Sequence, residues 1–212
     1  MNNYTLDEVK KYAKNFKYEI CNSDLNRPDE RFIYYDNDSI KFWRNIASKY
    51  MPIKKELLIE AKNIMKKLFG KSKNVLGVLL RGTDYLRKPK EHAIPPRVEK
   101  VIVDVKEMDK LYNHDFIFFT TEDENIKEKF VNNFLDKIKT MNPIMPKQEI
   151  RKIEDLNEQT KKYLEFIKTY VLNVIIISKC LDLVAARCGG TLGIFILTKG
   201  FRHAKIYNLG EY

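Results

Sequence analysis

The chain has 212 residues, of which 44% are hydrophobic and 12% aromatic, with only 8 Gly and 7 Pro. That is enough apolar material for a buried core, and it excludes wholesale disorder and collagen-like or linker composition. Lys and Arg number 39 against 29 Asp and Glu, a formal net charge of +10, so nucleic acid, an anionic membrane surface and phosphorylated small molecules are the partners to separate.

The first 37 residues begin with a capping box, Thr5 with Glu8, which predicts a short helix over 5–16. A polar, turn-like stretch over 22–31 follows, broken at Asn26-Arg27-Pro28, and then the run Phe32-Ile33-Tyr34-Tyr35, an edge-strand candidate. Ser39 is placed to cap a helix carrying Phe42, Trp43, Ile46 and Ala47 at core spacing. A third helix over 54–69 puts Leu57, Leu58, Ala61, Ile64, Met65 and Leu68 on one stripe, with Gly70 as its stop.

The pattern changes at Val75-Leu76-Gly77-Val78-Leu79-Leu80, a continuous apolar run without helical period, which predicts a strand buried on both faces. It ends in Arg81-Gly82-Thr83-Asp84-Tyr85. A proline-bearing loop with His92 runs to Pro95-Pro96, and a helix over 97–111 follows. Phe116-Ile117-Phe118-Phe119 is the second strand, ending in Thr120-Thr121-Glu122-Asp123-Glu124, where Thr121 and Glu124 form a capping box for a helix to about 138. After a stretch over 139–157 that is irregular or holds a short strand, a long helix over 158–179 precedes a third strand, Asp182-Leu183-Val184-Ala185-Ala186. Arg187-Cys188-Gly189-Gly190-Thr191 leads into an apolar helix, and Lys205-Ile206-Tyr207 closes with a fourth strand. The expected fold is α/β: a Rossmann-like parallel sheet with right-handed crossovers over 73–212, preceded by a helix-rich segment over 1–72.

Three loops then meet at the carboxyl edge of the sheet. In the first, Arg81 offers a planar fork matched to phosphate oxygens, and Gly82 lets backbone approach a ligand. Thr83 and Tyr85 flank it, and Asp84 either orients Arg81 or accepts from a sugar hydroxyl; a surface ion pair of Arg81 with Asp84 is the plainer alternative. In the second, Thr121, Glu122 and Asp123 stand at a helix start, where simple capping explains them equally well. In the third, beside Arg187, Gly189, Gly190 and Thr191 direct backbone N–H groups toward an anion, or form an ordinary turn. His92 is a candidate phosphate contact in a basic loop, or a solvated histidine. Charge distribution favours a local phosphate site over a general nucleic-acid face: 71–100 alone carries 8 basic against 3 acidic residues.

Several chemistries lack their signature. His92, His114 and His203 are dispersed without metal-ligand spacing. No GxSxG elbow is present. Cys21, Cys180 and Cys188 are odd in number and widely spaced, which argues for a reduced, cytoplasmic protein with Cys180 in the core. The longest apolar runs, 75–80 and 192–197, fall well short of the ~20 residues of a membrane helix, and the first 18 residues are polar rather than signal-like.

The loops resemble, in order and spacing, the nucleotide-sugar half of the fucosyltransferase superfamily, which includes α1,6-fucosyltransferases and protein O-fucosyltransferases. Leu79-Leu80-Arg81-Gly82-Thr83-Asp84 is similar to its H-x-R-x-x-D motif, with Leu79 where the family often has His. Phe118-Phe119-Thr120-Thr121-Glu122-Asp123 resembles its second motif. The segment from Ser178 and Asp182-Leu183-Val184 to Thr191 resembles its third, with Cys188 and Gly189 where serines are usual. Stretches 81–96 and 201–212 look like a bacterial branch encoded with surface polysaccharides. The resemblance implies a GT-B C-terminal half that binds a GDP-sugar, GDP-fucose foremost, and transfers the sugar to a glycan or other hydroxyl acceptor. It implies inverting, metal-independent chemistry without a cofactor, Arg81 on the β-phosphate, Asp84 as its acidic companion, and Thr121, Glu122 and Asp123 near nucleotide and sugar. Only about 70 helix-rich residues precede the first strand, so a truncated or degenerate member, or one that borrows its acceptor site from a partner chain, is an expectation to carry. A non-catalytic nucleotide-sugar-binding module and a basic nucleic-acid-binding protein are the rival readings, and a membrane surface stays open as a docking partner.

Overall fold

The computed structural model describes residues 38–82, 93–141 and 147–210. The helix expected over 5–16, the turn over 22–31 and the strand candidate over 32–35 lie outside the described residues, as do Thr83, Asp84, Tyr85 and His92.

Helix α1 spans Asp38–Tyr50 and buries Ile40, Phe42 and Ile46. Ser39 therefore lies within the helix instead of ahead of it. Helix α2, Lys55–Phe69, turns Leu57, Ala61, Ile64, Met65 and Leu68 onto the core, as the spacing predicts. Leu58 is the exception, 44% exposed, and buried Phe69 completes the stripe instead. The difference follows from helical rotation, since position 58 sits 100° round from position 57. Gly70 ends the helix, its N–H donating to the Lys66 carbonyl.

Strand β1, Val75–Leu79, is buried along its whole length. Helix α3, Val98–Tyr112, and strand β2, Phe116–Thr120, follow. Helix α4 spans Glu124–Phe134 and is shorter than expected: a 3-10 turn at Leu135–Lys137 breaks it, and Ile138–Lys139 forms a two-residue strand, β3. Ile138, the last residue of the expected helix, pairs with Ile117, and Lys139, the first of the irregular stretch, pairs with Phe118. Short helix α5, Lys147–Ile150, and long helix α6, Leu156–Ile177, lead to β4, Asp182–Ala186. Helix α7, Gly189–Leu197, and strand β5, His203–Tyr207, complete the chain.

All five strands are parallel, in the order β3-β2-β1-β4-β5. Four of them were legible in the sequence as strands, and β3 is a two-residue strand at the start of the stretch read as irregular or holding a short strand. Successive residues of each central strand face opposite ways. Val75, Leu79, Phe118, Leu183 and Ala185 pack with residues of α1, α2, α6 and α7. Leu76, Val78, Leu80, Ile117, Phe119, Val184 and Ala186 pack with α3 and α4. Burial on both faces explains why these strands read as unbroken apolar runs. Helix α1 is tied to α7 by Arg44, whose Nε donates to the Phe195 carbonyl at 2.9 Å.

Candidate functional site

The chain runs outward from β1 to β2 and β3 on one side, then returns to place β4 and β5 on the other. The order reverses between β1 and β4, which pair directly, Leu79 opposite Ala185. In open α/β sheets the crevice at such a reversal, outside the carboxyl ends of the strands, is where ligands bind. Here β1 ends in Arg81 and Gly82, β2 ends in Thr121, Glu122 and Asp123, and β4 leads through Arg187 and Cys188 to the start of α7.

Arg81 is half-buried, with Glu122 Oε1 3.0 Å from its Nε. Gly82 is buried against Asp123, where a Cβ would meet the Asp123 Cβ at 2.4 Å and its Oδ2 at 2.8 Å. Glycine is required at this close approach. Asp123 is the N-cap of α4: its Oδ1 accepts from the N–H groups of Asn125 and Ile126 at 3.0 and 3.1 Å. The capping box expected at Thr121 and Glu124 is thus corrected to an Asp123 cap. The Thr121 hydroxyl instead accepts from the Asp123 N–H at 3.2 Å.

Cys188 is the N-cap of α7 and makes no side-chain cap bond; its Sγ lies 3.4 Å from the Thr191 hydroxyl. Thr191 is buried and its hydroxyl donates to the Ala186 carbonyl at 2.5 Å, so it closes the β4–α7 turn from within. Gly189 is exposed, and no atom lies within 4 Å of where its Cβ would stand. Gly190 is buried under Tyr170 of α6, whose hydroxyl would lie 2.4 Å from a Cβ there. Arg187 is half-buried; its Nη1 donates to Asn208 Oδ1 at 3.2 Å, and its N–H donates to the Tyr207 carbonyl.

Tyr170 went unnoticed in the sequence, where it reads as one more aromatic on a long helix. Burial pushes its phenol up to about 12, the neighbouring Cys188 adds to the rise, and the positive charge of Arg81 partly offsets it. Arg81, Gly82, Glu122, Asp123 and Gly190 therefore converge with Tyr170 at the sheet reversal.

Asp182, part of the third motif, lies at the opposite edge, as the first residue of β4. It is fully buried and accepts from Arg202 Nε at 3.2 Å, Arg202 Nη2 at 2.5 Å and the His203 N–H at 2.9 Å, with His114 Nε2 2.7 Å away. Burial opposes its ionisation, but the bonds from Arg202 and His114 outweigh it and hold the carboxyl below its ordinary value. This residue ties the start of β4 to His114 ahead of β2 and to Arg202 and His203 at the start of β5, and takes no part in the site. An open depression of about 390 Å³ beside Lys106, Asp109 and Lys137 lies away from the strand ends. Among the described residues, no group of three or more His, Cys, Asp or Glu is placed to hold a metal ion, and no helix is long and apolar enough to cross a membrane.

No protein-family model matches the chain, and no curated protein matches it in sequence. Solved structures do match in shape. POFUT1 in complex with GDP-fucose is 10% identical over 88% of this chain and 60% of its own, with a TM-score of 0.50. POFUT1 in its apo form gives a TM-score of 0.52 at 10% identity, over 87% of this chain and 60% of its own. NodZ alpha-1,6-fucosyltransferase soaked with GDP-fucose gives 0.47 at 10% identity, over 82% and 63%. The chain thus spans about 60% of the length of the POFUT1 structures it matches. What it shares with POFUT1 is the fold, an α/β architecture around a parallel sheet.

Proposed function

We propose that the chain binds a GDP-sugar, GDP-fucose foremost, at the carboxyl edge of β1 and β4, and acts as a glycosyltransferase of the fucosyltransferase-like kind. The observation that carries this reading is the placement of Arg81 at the sheet reversal, beside the start of α7. The fold shared with POFUT1, which has been solved with GDP-fucose and with GDP, supports it.

In this reading Arg81 and the backbone N–H groups at Gly189 and Gly190 hold the diphosphate, and α7 turns its positive end toward it. Thr191 contributes through its backbone, since its hydroxyl already donates to Ala186. As the sugar–phosphate bond breaks, negative charge grows on the departing nucleoside diphosphate, and Arg81 stabilises that charge electrostatically. The acceptor is a hydroxyl of a glycan or similar molecule, and transfer is inverting and metal-independent, as the family resemblance implies. Residues 73–212 form the nucleotide-sugar unit and 1–72 its helix-rich preface, in a cytoplasmic protein of polysaccharide biosynthesis.

A thermal-shift panel of GDP, UDP, ADP and their common sugars, on wild type and Arg81→Ala, tests this. Ligand at 100 times its dissociation constant stabilises by about 2.7 kcal/mol, which is readily seen. A GDP-selective shift that disappears in Arg81→Ala is expected. Equal shifts in both proteins would remove Arg81 from the site. Binding without turnover on any acceptor would leave a non-catalytic module. Affinity for polynucleotides alone, falling steeply with salt, would favour the basic-protein reading.

A further inference from the structure

Exposed apolar side chains are not evenly spread over the molecule. Of the twelve large apolar residues exposed among the described residues, four lie within 50–59: Tyr50, Met51, Leu58 and Ile59 are 55, 62, 44 and 51% exposed. Single apolar residues on a surface need no explanation, but a group of them does. Tyr50 is the last residue of α1, Met51 opens the connection to α2, and Leu58 and Ile59 fall in the first turns of α2.

Lysines interleave with them. Lys49, Lys54, Lys55 and Lys62 are exposed, and none makes an ion pair among the described residues. Elsewhere the pattern differs: Lys100, Lys127, Lys129, Lys137 and Lys162 each lie 2.7–3.1 Å from a carboxylate oxygen. On α2, Lys55, Leu58, Ile59 and Lys62 follow the i, i+3, i+4, i+7 spacing that gathers residues on one flank of a helix. Glu56 and Glu60, one turn apart, take the other flank, where Glu60 pairs with Lys168 of α6 at 2.8 Å. The first flank is cationic and apolar at once, and carries no carboxylate of its own.

Nucleic acid would use the lysines but give the aliphatic side chains nothing to bury against. Protein interfaces favour aromatic residues and Arg and are depleted in Lys. An anionic bilayer uses both features. Lysine stems lie along apolar surface while their charges meet lipid phosphates, and apolar side chains enter the boundary beneath the headgroups. A tyrosine suits the depth between the two, with its apolar ring and polar tip.

We propose that the corner between α1 and α2, residues 49–62, is a docking surface for a membrane carrying anionic lipids. Met51, Leu58 and Ile59 enter the headgroup boundary, and the intervening lysines meet the lipid phosphates. Phe69, the last residue of α2, packs on Phe116, the first residue of β2, with 6.0 Å between ring centroids. Helix α2 therefore ends at the amino edge of the sheet and begins toward the carboxyl edge, so docking brings the edge that carries Arg81 near the lipid. The surface shares no residue with that edge, and it stands or falls apart from the donor-site reading.

The test is co-sedimentation of the full chain with vesicles of phosphatidylcholine alone and of an equal mixture with phosphatidylglycerol. It compares wild type, Lys55→Gln with Lys62→Gln, Leu58→Gln with Ile59→Gln, and Leu111→Gln as a control. Leu111 is 72% exposed on α3, which packs on the other face of the sheet. Glutamine keeps helix propensity throughout. Wild type should bind the mixture and not phosphatidylcholine alone. Each lysine near an anionic surface strengthens binding about fivefold, so the lysine pair should weaken it about twenty-five-fold. Loss of the two apolar side chains should weaken it about tenfold, and Leu111→Gln should bind as wild type.

Failure of wild type to sediment with the mixture, or equal sedimentation with phosphatidylcholine alone, would overturn the proposal. So would a loss in Leu111→Gln equal to that in the Leu58 and Ile59 variant. Full retention of binding in that apolar variant would overturn it too, leaving a general anion patch, and polynucleotide binding with the same pattern would name nucleic acid as the occupant. Melting temperatures identify any variant that loses binding by unfolding, and the exposed lysine pair keeps the test decisive in that event.

Discussion

Gly82 is backed against Asp123 so closely that a side-chain carbon on the glycine would stand 2.4 Å from the Asp123 Cβ. Asp123 is not free to retreat, because its Oδ1 caps α4 through Asn125 and Ile126. The end of β1 is therefore set by the start of α4, and Arg81, one residue earlier, inherits that position.

Gly82→Ala should consequently destabilise the protein, by about 1–3 kcal/mol as for overpacking elsewhere, and weaken GDP binding at the same time. Asp123→Gly removes the cap and the contacting Cβ together, at a cost of about 1 kcal/mol or less, and makes room for the alanine. Gly82→Ala should then cost less in the Asp123→Gly background. Melting curves of the two singles and the double check this; additive losses would mean that the contact does not constrain the strand end.

Acid should unfold the protein through two buried aspartates. Burial pushes the Asp104 carboxyl up, but the bonds from Lys100, Lys205 and Tyr207 outweigh it and hold the carboxyl at about 2. Asp182 is lowered in the same sense. An unfolded aspartate titrates at about 3.9. Each depressed carboxylate therefore contributes stability that is fully present above about pH 4 and is lost as pH falls through its folded value. Melting temperature should drop between about pH 4 and 2, less steeply in Asp104→Asn, which titrates nowhere in that range. At the alkaline end the sign reverses. Tyr170, raised to about 12, stabilises below pH ~10 and loses that contribution as pH rises through about 12.

Cys188→Ser should be tolerated and mildly stabilising. Cys188 occupies the N-cap of α7 without a side-chain cap bond, in extended backbone suited to one. Serine is a preferred cap, worth about 1 kcal/mol over residues that cannot accept. An increase in melting temperature with GDP affinity kept or improved is the expected outcome. A loss of stability would show that the thiol is needed where it rests, 3.4 Å from Thr191.

Arg202→Met should separate stability from binding. Arg202 holds buried Asp182 at the amino edge of the sheet, the edge opposite the site. Leaving that carboxylate without its charged partner costs about 3–5 kcal/mol in comparable buried pairs. GDP affinity, measured well below the lowered melting temperature, should stay as in wild type. A matching loss of GDP affinity would mean that the two edges are coupled through β4.

The three central strands were legible because residues such as Val75, Phe118 and Val184 are apolar on both faces, a pattern that neighbouring sequence alone imposes. The helices were legible from their stripes and stops. What failed locally has a common cause. Ile138 ends a helical pattern and Lys139 opens an irregular stretch, yet they pair with Ile117 and Phe118, a partnership some twenty residues away that no local rule contains. Thr121 and Glu124 spell a capping box, but Asp123 fills the cap because Gly82 leaves it a place.

The chain's own residues determined that Arg81, Glu122 and Gly189-Gly190 would stand at strand ends, since strand and helix periods set which residues fall at the turns. Only the tertiary structure decided which of them meet. The reversal of strand order sets the Arg81 loop beside the start of α7. The packing of α6 on the sheet brings Tyr170 onto Gly190. Asp182 goes to the opposite edge because it opens its strand and does not close it. Contacts between residues far apart in the chain depend on how layers stack around a shared core, and that information is absent from any local stretch.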